Sequence, residues 1–224
     1  MDIREAVESR RSVRGFLDRA VDLQVLREVL RIAARAPSGG NLQPWRVYLL
    51  AGEPLARLKK QAAELARTGA PVEDPEYAIY PPDLTSPYRE RRSETGRRLY
   101  GALGISRHDR AARKRWFTRN YELFGAPAGL FCYVDRQMGA AQWADLGMFL
   151  QTVMLLLRRE GLASCPQEAW SVYHRTVAEV IGPPPELMLF CGMAIGYEDP
   201  AEPANAARTG RAPVEEFATF IGWE

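Results

Sequence analysis

Apolar residues return at helical spacing almost from the first position. Asp2 stands as an N-cap, and Ile3, Ala6 and Val7 would face inward on a helix running to about Ser9. Asp22 caps a second helix, in which Leu23, Leu26, Leu30 and Ala33 share a face. It must stop before Pro37, because proline disfavours helical backbone in the residue before it. A Gly-rich turn leads into an apolar strand, RVYLLAG, and Pro54 opens a third helix with Leu55, Leu58, Ala62 and Leu65 inward. Residues 68–87 are rich in Pro, Asp and Gly and lack a period, which predicts an ordered surface loop. Two charged helices follow, near 88–103 and 107–124. On the second, Arg110, Lys114, Phe117, Tyr121 and Phe124 would form one face that turns from basic to aromatic along its length.

The second half is more apolar. LFCYV has the look of a buried strand. The longest helix is predicted over 140–160, with Trp143, Leu146, Phe149, Leu150, Val153, Met154, Leu155, Leu156 and Leu157 spread around its circumference. A helix apolar on all sides needs cover on all sides, and in a chain this small a second subunit is a natural source of it. Gly161 ends that helix. A short strand, a helix ending near Ile181 and a last strand, ELMLFCGMAIGY, complete the order. Helices and strands intermix without regular βαβ alternation, so the predicted class is α+β, a mixed sheet layered with helices.

Composition narrows the function. The chain has 224 residues, 46% of them apolar, as expected of a globular domain. No apolar run reaches bilayer length, since Asp145 and Gln151 interrupt the richest one. The charged start, MDIREAVESRR, does not read as a signal peptide; a cytoplasmic protein is expected, with no membrane partner. Three scattered cysteines and two histidines leave little for a disulfide framework, a metal site or a hydrolytic triad, so no metal is expected. A net charge of +2 argues against a nucleic-acid partner. That charge is uneven: residues 89–119 hold eleven Lys/Arg against three acids, an excess of eight that leaves −6 on the rest. The stretch reads either as a solvated helical face or as a positive lid that draws anions.

Three segments hold candidate chemistry. RRSVRGF places Arg10, Arg11 and Arg14 around Ser12 where the first helix ends. Guanidinium forks and a hydroxyl suit a phosphate dianion, although a basic helix end is also favoured simply by the helix dipole. In APSGGNLQPW, Gly39 and Gly40 let backbone approach a flat ligand, and Asn41 and Gln43 carry amides fit to read a heterocycle's edge; an ordinary helix-to-strand loop would have the same residues. SCPQEAW follows a buried strand and reads, alone, as a turn. With no GxGxxG there is no reason to place a nicotinamide cofactor in a Rossmann crevice.

Taken together, these motifs resemble the FMN-dependent nitroreductase family. RRSxR, PSxxNxQPW, the long apolar helix followed by PQEA, and the closing GYxD with its late arginines stand in that family's order, closest in pattern to nitrobenzoate-reductase-like members. The likeness covers most of the chain and weakens over about 68–115. It implies one nitroreductase-like domain over 1–224, with a variable lid at about 68–124. The implied sheet is mainly antiparallel and flanked by helices, with the long helix at a homodimer interface.

The implied cofactors are tightly bound FMN and NAD(P)H as reductant. Arg10, Arg11, Ser12 and Arg14 would hold the FMN phosphate and ribityl chain, with Arg208 and Arg211 as late phosphate ligands. Pro37, Ser38, Gly39, Asn41 and Gln43 would lie along the flavin, partly across the dimer. Pro166, Gln167, Glu168 and Ala169 would face its N5 edge, with Asn120 near the ring. Tyr88, Arg91, Arg98, Tyr121 and Phe124 would meet a small electrophilic aromatic acceptor, neutral or anionic, such as a nitroaromatic or quinone. No side chain is required as a catalytic acid or base, because the flavin carries the hydride. The same scaffold would also serve reductive dehalogenation, activated-alkene reduction or FMN binding without catalysis.

Overall fold

The computed structural model describes residues 1–69 and 73–223. Residues 70–72 of the predicted loop lie outside the described residues. Four strands form one antiparallel sheet in the order β1-β2-β4-β3: β1 is Trp45–Ala51, β2 Ala128–Asp135, β3 Ala163–Gln167 and β4 Leu187–Gly196. The central strand β2 alternates between two cores. Leu130, Cys132 and Val134 face one side; Phe131 and Tyr133 face the other. Both faces are covered, so the strand reads in sequence as an unbroken apolar run.

On one face lie α2 (Leu23–Ala33) and α6 (Ala140–Arg159), which bury Leu26, Val29, Leu146, Phe149, Leu150 and Val153 against the sheet. On the other lie α3 (Gly52–Thr68), the 3-10 turns Arg119–Gly125 and Glu168–Tyr173, and α7 (His174–Ile181). Gly192 on β4 is required by packing, since a Cβ there would sit 2.5 Å from Cδ1 of the fully buried Trp170.

The remaining helices are α1 (Ile3–Ser9), α4 (Tyr88–Ala102) and α5 (Arg110–Thr118). The helix expected over 107–124 stops early. Leu123 and Phe124 take left-handed backbone, with φ of 50° and 52°, which turns the chain back under the sheet. Three other expectations are corrected. Ile3 and Val7 of α1 point outward, at 79% and 50% exposed, and only Ala6 is buried; Leu23 of α2 is half exposed. The long helix α6 is buried along one face within this chain, while Gly147 and Met148 stand on an open one. Although Asp145 and Gln151 interrupt its apolar run, α6 is also the one helix among the described residues long and apolar enough to cross a membrane. Its buried face, packed on the sheet, is that of a core helix.

The loop before α4 is tied down by side chains that show no period. Glu73 accepts from the N–H groups of Arg175 and Thr176, capping α7, and Glu76 pairs with Arg136. The ring of Tyr77 stacks on Phe190 and meets Trp143 edge-on.

Candidate functional site

The chain's beginning is laid against the sheet's edge where β3 starts and β4 ends. Ser12 bridges Ser164 in parallel, the Val13 N–H donates to Ser164 O at 3.0 Å, and the Leu17 N–H donates to Tyr197 O at 2.9 Å. Segment 10–16 is thus pinned along the sheet, with Val13 and Phe16 as core anchors, Arg10, Arg11 and Ser12 before Val13, and Arg14 between the two. The arginines it presents divide into two kinds. Arg11 is neutralised by an ion pair with Glu198. Arg10 and Arg14 have no carboxylate partner among the described residues, and neither do Arg208 and Arg211 of the tail.

Arg10 and Arg211 approach each other: burial, and then the charge of Arg211, lower the Arg10 pKa from its ordinary value. Two like-charged guanidiniums without an acid partner among the described residues, one of them partly desolvated, have the chemistry to hold an anion. Arg14 Nη1 donates to the Ser12 backbone oxygen at 3.3 Å, and Arg14, Ser12 and Arg10 all oppose the rise that burial gives the Cys165 thiol. Of the predicted phosphate residues, Arg10, Ser12 and Arg14 thus lie together with Arg211 near Arg10, the charge of Arg11 is already used, and Arg208 is tied to the backbone oxygen of Asn205.

The second segment is open. Residues 39–41 form a 3-10 turn in which Gly40, Asn41 and then Gln43 have positive φ, a conformation that suits glycine and asparagine. Ser38 Oγ accepts from the Gln43 N–H at 3.0 Å, and the Gln43 amide donates to Asn41 O at 3.1 Å. Pro37, Gly39, Asn41 and Gln43 are exposed. The loop is held to α6 by Asp145, a buried acid that accepts from the Gly39 N–H at 3.2 Å. Sequence reading passed over Asp145 because it interrupts an apolar run without belonging to any motif.

The third segment ends β3. Gln167 is buried and donates from Nε2 to the Asn120 backbone oxygen at 2.8 Å and to its side-chain oxygen at 3.2 Å, while its own Oε1 has no partner. Asn120 thus holds β3's end in place. Pro166 and Ala169 are half-buried, and Glu168 is exposed, yet the chain around it desolvates its carboxyl and raises its pKa. All three cysteines are buried, and Cys132 is pushed up to about 12 by burial. His174 has Nε2 3.0 Å from Asp74 O and Nδ1 3.5 Å from Glu76, which makes it a tether for the loop.

The expected acceptor residues are corrected in part. Tyr121 and Phe124 are core residues, 3% and 1% exposed; Tyr121 is edge-on to Trp170 and Tyr173. The backbone turn at Leu123 and Phe124 carries that face inward. Tyr88 is exposed. Arg91 and Arg98 line a cleft of about 860 Å³ between α4 and the tail, together with Arg211 and Phe217. Both are held by acids there, Arg91 by Glu216 and Arg98 by Glu94, each at 2.6 Å.

The nitroreductase family model matches residues 7–197. A chloronitrobenzene nitroreductase of Comamonas testosteroni is 35% identical over 98% of this chain and 96% of its own length. A 4-nitrobenzoate reductase of Pseudomonas putida is 36% identical over 100% of this chain and 97% of its own. The crystal structure of the FMN and NADPH-dependent nitroreductase NfnB from Sphigopyxis sp. strain HMH superposes with a TM-score of 0.95 at 44% identity, each chain fully covered. By motif order, by fold and by these likenesses, the chain belongs to the nitroreductase family.

Proposed function

We propose that the protein is an FMN-dependent NAD(P)H oxidoreductase that reduces nitroaromatic or quinone-like acceptors by a ping-pong sequence. The observation that carries the reading is a set of arginines free of carboxylates among the described residues, Arg10 and Arg14 beside Ser12 and the start of β3, with Arg211 near Arg10 and Arg208 joined to the Arg14 segment through Asn205. FMN fits this donor set: its phosphate is a dianion, and forked guanidiniums with a hydroxyl bind one well. The similar NfnB enzyme is FMN and NADPH-dependent, which supports both cofactors here. Bound FMN would supply hydride transfer, taking hydride from NAD(P)H and handing it to the acceptor.

The chain's residues have the remaining work. Arg10, Ser12, Arg14, Arg208 and Arg211 hold the phosphate. Pro37, Ser38, Gly39, Asn41 and Gln43 offer an exposed backbone and amides to the flavin ring. Pro166, Gln167, Glu168 and Ala169 form a rigid edge for N5, braced by Asn120. Tyr88, Arg91 and Arg98 are the acceptor-side candidates, on a lid within 68–124.

A homodimer belongs to the same proposal. Exposed apolar residues gather around α6: Met148 on it, Ile3 and Val7 on α1 beside it, and Leu42 in the loop tethered by Asp145. A cytoplasmic location belongs to the same proposal.

The test is anaerobic stopped-flow absorbance of purified protein mixed with NADH or NADPH. A flavin band near ~450 nm that bleaches, and returns when 4-nitrobenzoate is added, is the expected result. A band that stays unbleached would make the protein a flavin binder without this activity.

A further inference from the structure

The arginine-bearing segment at the start of the chain and the arginine-bearing tail are far apart in sequence, and one buried side chain joins them. Asn205 lies in the 3-10 turn Pro203–Ala206 and is 6% exposed. Its Oδ1 accepts from the Arg14 N–H at 2.7 Å, and its Nδ2 donates to Gly15 O and to Asp199 O, both at 2.9 Å. Its backbone oxygen accepts from Arg208 Nη1 at 2.5 Å. The amide spans Arg14–Gly15 and the loop at Asp199, and its own carbonyl steadies a guanidinium of the tail.

The surroundings leave it little freedom. Gly15 O also accepts from the Asp199 N–H at 3.0 Å. A Cβ on Gly15 would lie 2.2 Å from Cγ of Glu202, so the Glu202 side chain packs onto this backbone only because residue 15 is glycine. Glu202 is held in turn by Arg119 at 2.8 Å. The contacts fix backbone, while the guanidiniums of Arg10, Arg14 and Arg211 are left to meet a ligand.

We propose that Asn205 is the positioning residue of the phosphate cradle, setting the relative placement of the Arg14 segment and the Arg208–Arg211 tail without touching the ligand itself. The inference rests on the cradle being the FMN phosphate site. A pair of sites on two segments binds a dianion well only if both are held at its dimensions beforehand, because ordering them on binding costs affinity. Removing Asn205 therefore weakens the grip on phosphate and leaves the grip on the flavin ring, which other segments provide.

FMN and riboflavin differ by that phosphate alone, so their ratio isolates it. Apoprotein of the wild type, Asn205→Ala and Asn205→Ser is titrated with each flavin by fluorescence quenching, with the thermal midpoint of each preparation measured beside it. Asn205→Ala is expected to raise the FMN dissociation constant on the order of tenfold and leave that of riboflavin unchanged; Asn205→Ser, keeping part of the hydrogen bonding, should fall between. If the Ala variant does not fold, the Ser variant carries the test. Equal losses for both flavins, or undiminished FMN binding, would overturn the inference. A wild type that does not prefer FMN to riboflavin would overturn the phosphate reading first, and the inference with it.

Discussion

Two regions of this chain are rich in arginine, and they are built for opposite ends. In the proposed cradle, Arg10, Arg14, Arg208 and Arg211 have no carboxylate among the described residues to answer them, and Arg10 is partly desolvated. In the α4–α5 stretch, Arg91, Arg97 and Arg98 each meet an acid, and Arg92 and Arg113 lie over the rings of Tyr80 and Tyr100. Local charge density does not separate the two; the basic stretch has the larger excess. What separates them is whether the fold supplies the counter-charge. Where it does, arginine is structure; where it withholds it, arginine is free to meet a ligand, as proposed for the cradle.

The sharpest way to break this contrast is to remove a cradle arginine. Arg14→Ala should raise the FMN dissociation constant by ~10–100-fold, the size of a charge-assisted hydrogen bond made in partial burial, with little change for riboflavin. Equilibrium titration of the apoprotein reads it. If Arg91→Ala matched that loss, the distinction between the two regions would be wrong. Next in size is Gly15→Ala. The new methyl must displace Glu202 near its own backbone, so a loss of about 1–3 kcal/mol is expected, read as a lowered unfolding midpoint in urea.

How much of this was legible in the sequence follows the same division. RRSVR, PSGGN and PQEA were readable because each is contiguous and sits at an element boundary. The partners that sort the arginines were not: Glu198 lies 187 residues from Arg11, and Asn205 lies 191 from Arg14. Helix periodicity found most of α2 and α3 but ran one helix on to Phe124, because no pattern of apolar residues announces left-handed backbone at Leu123 and Phe124. It turned Ile3 and Val7 inward because they are apolar, whereas the chain alone leaves them exposed. The strands and the α+β layering were readable; the pairing of charges across the fold was not.

On the paired side, smaller effects are expected. Arg91 and Glu216 are about half exposed, and exposed pairs contribute little. Glu216→Gln and Arg91→Ala should each change stability by less than about 1 kcal/mol and kcat/KM for 4-nitrobenzoate by less than about threefold. A steep fall of kcat/KM with ionic strength, abolished by Arg91→Ala, would instead make α4 a steering surface.

The smallest effect separates cradle from cofactor edge. Glu168 has one flank in water and the other against the chain, and desolvation raises its folded-state pKa above the unfolded value. The folded protein then keeps a proton that the unfolded chain has released. Its contribution to stability is fully present below the unfolded pKa and is lost as pH rises through the folded one, so stability should decline with pH just above the ordinary carboxylate range. Glu168→Gln removes that slope and gains on the wild type over the same window, then runs parallel to it at higher pH. Urea midpoints of both proteins across that range measure it. Curves parallel throughout would mean that water reaches Glu168 from both sides, and that the edge expected to face N5 is as solvated as the α4 surface.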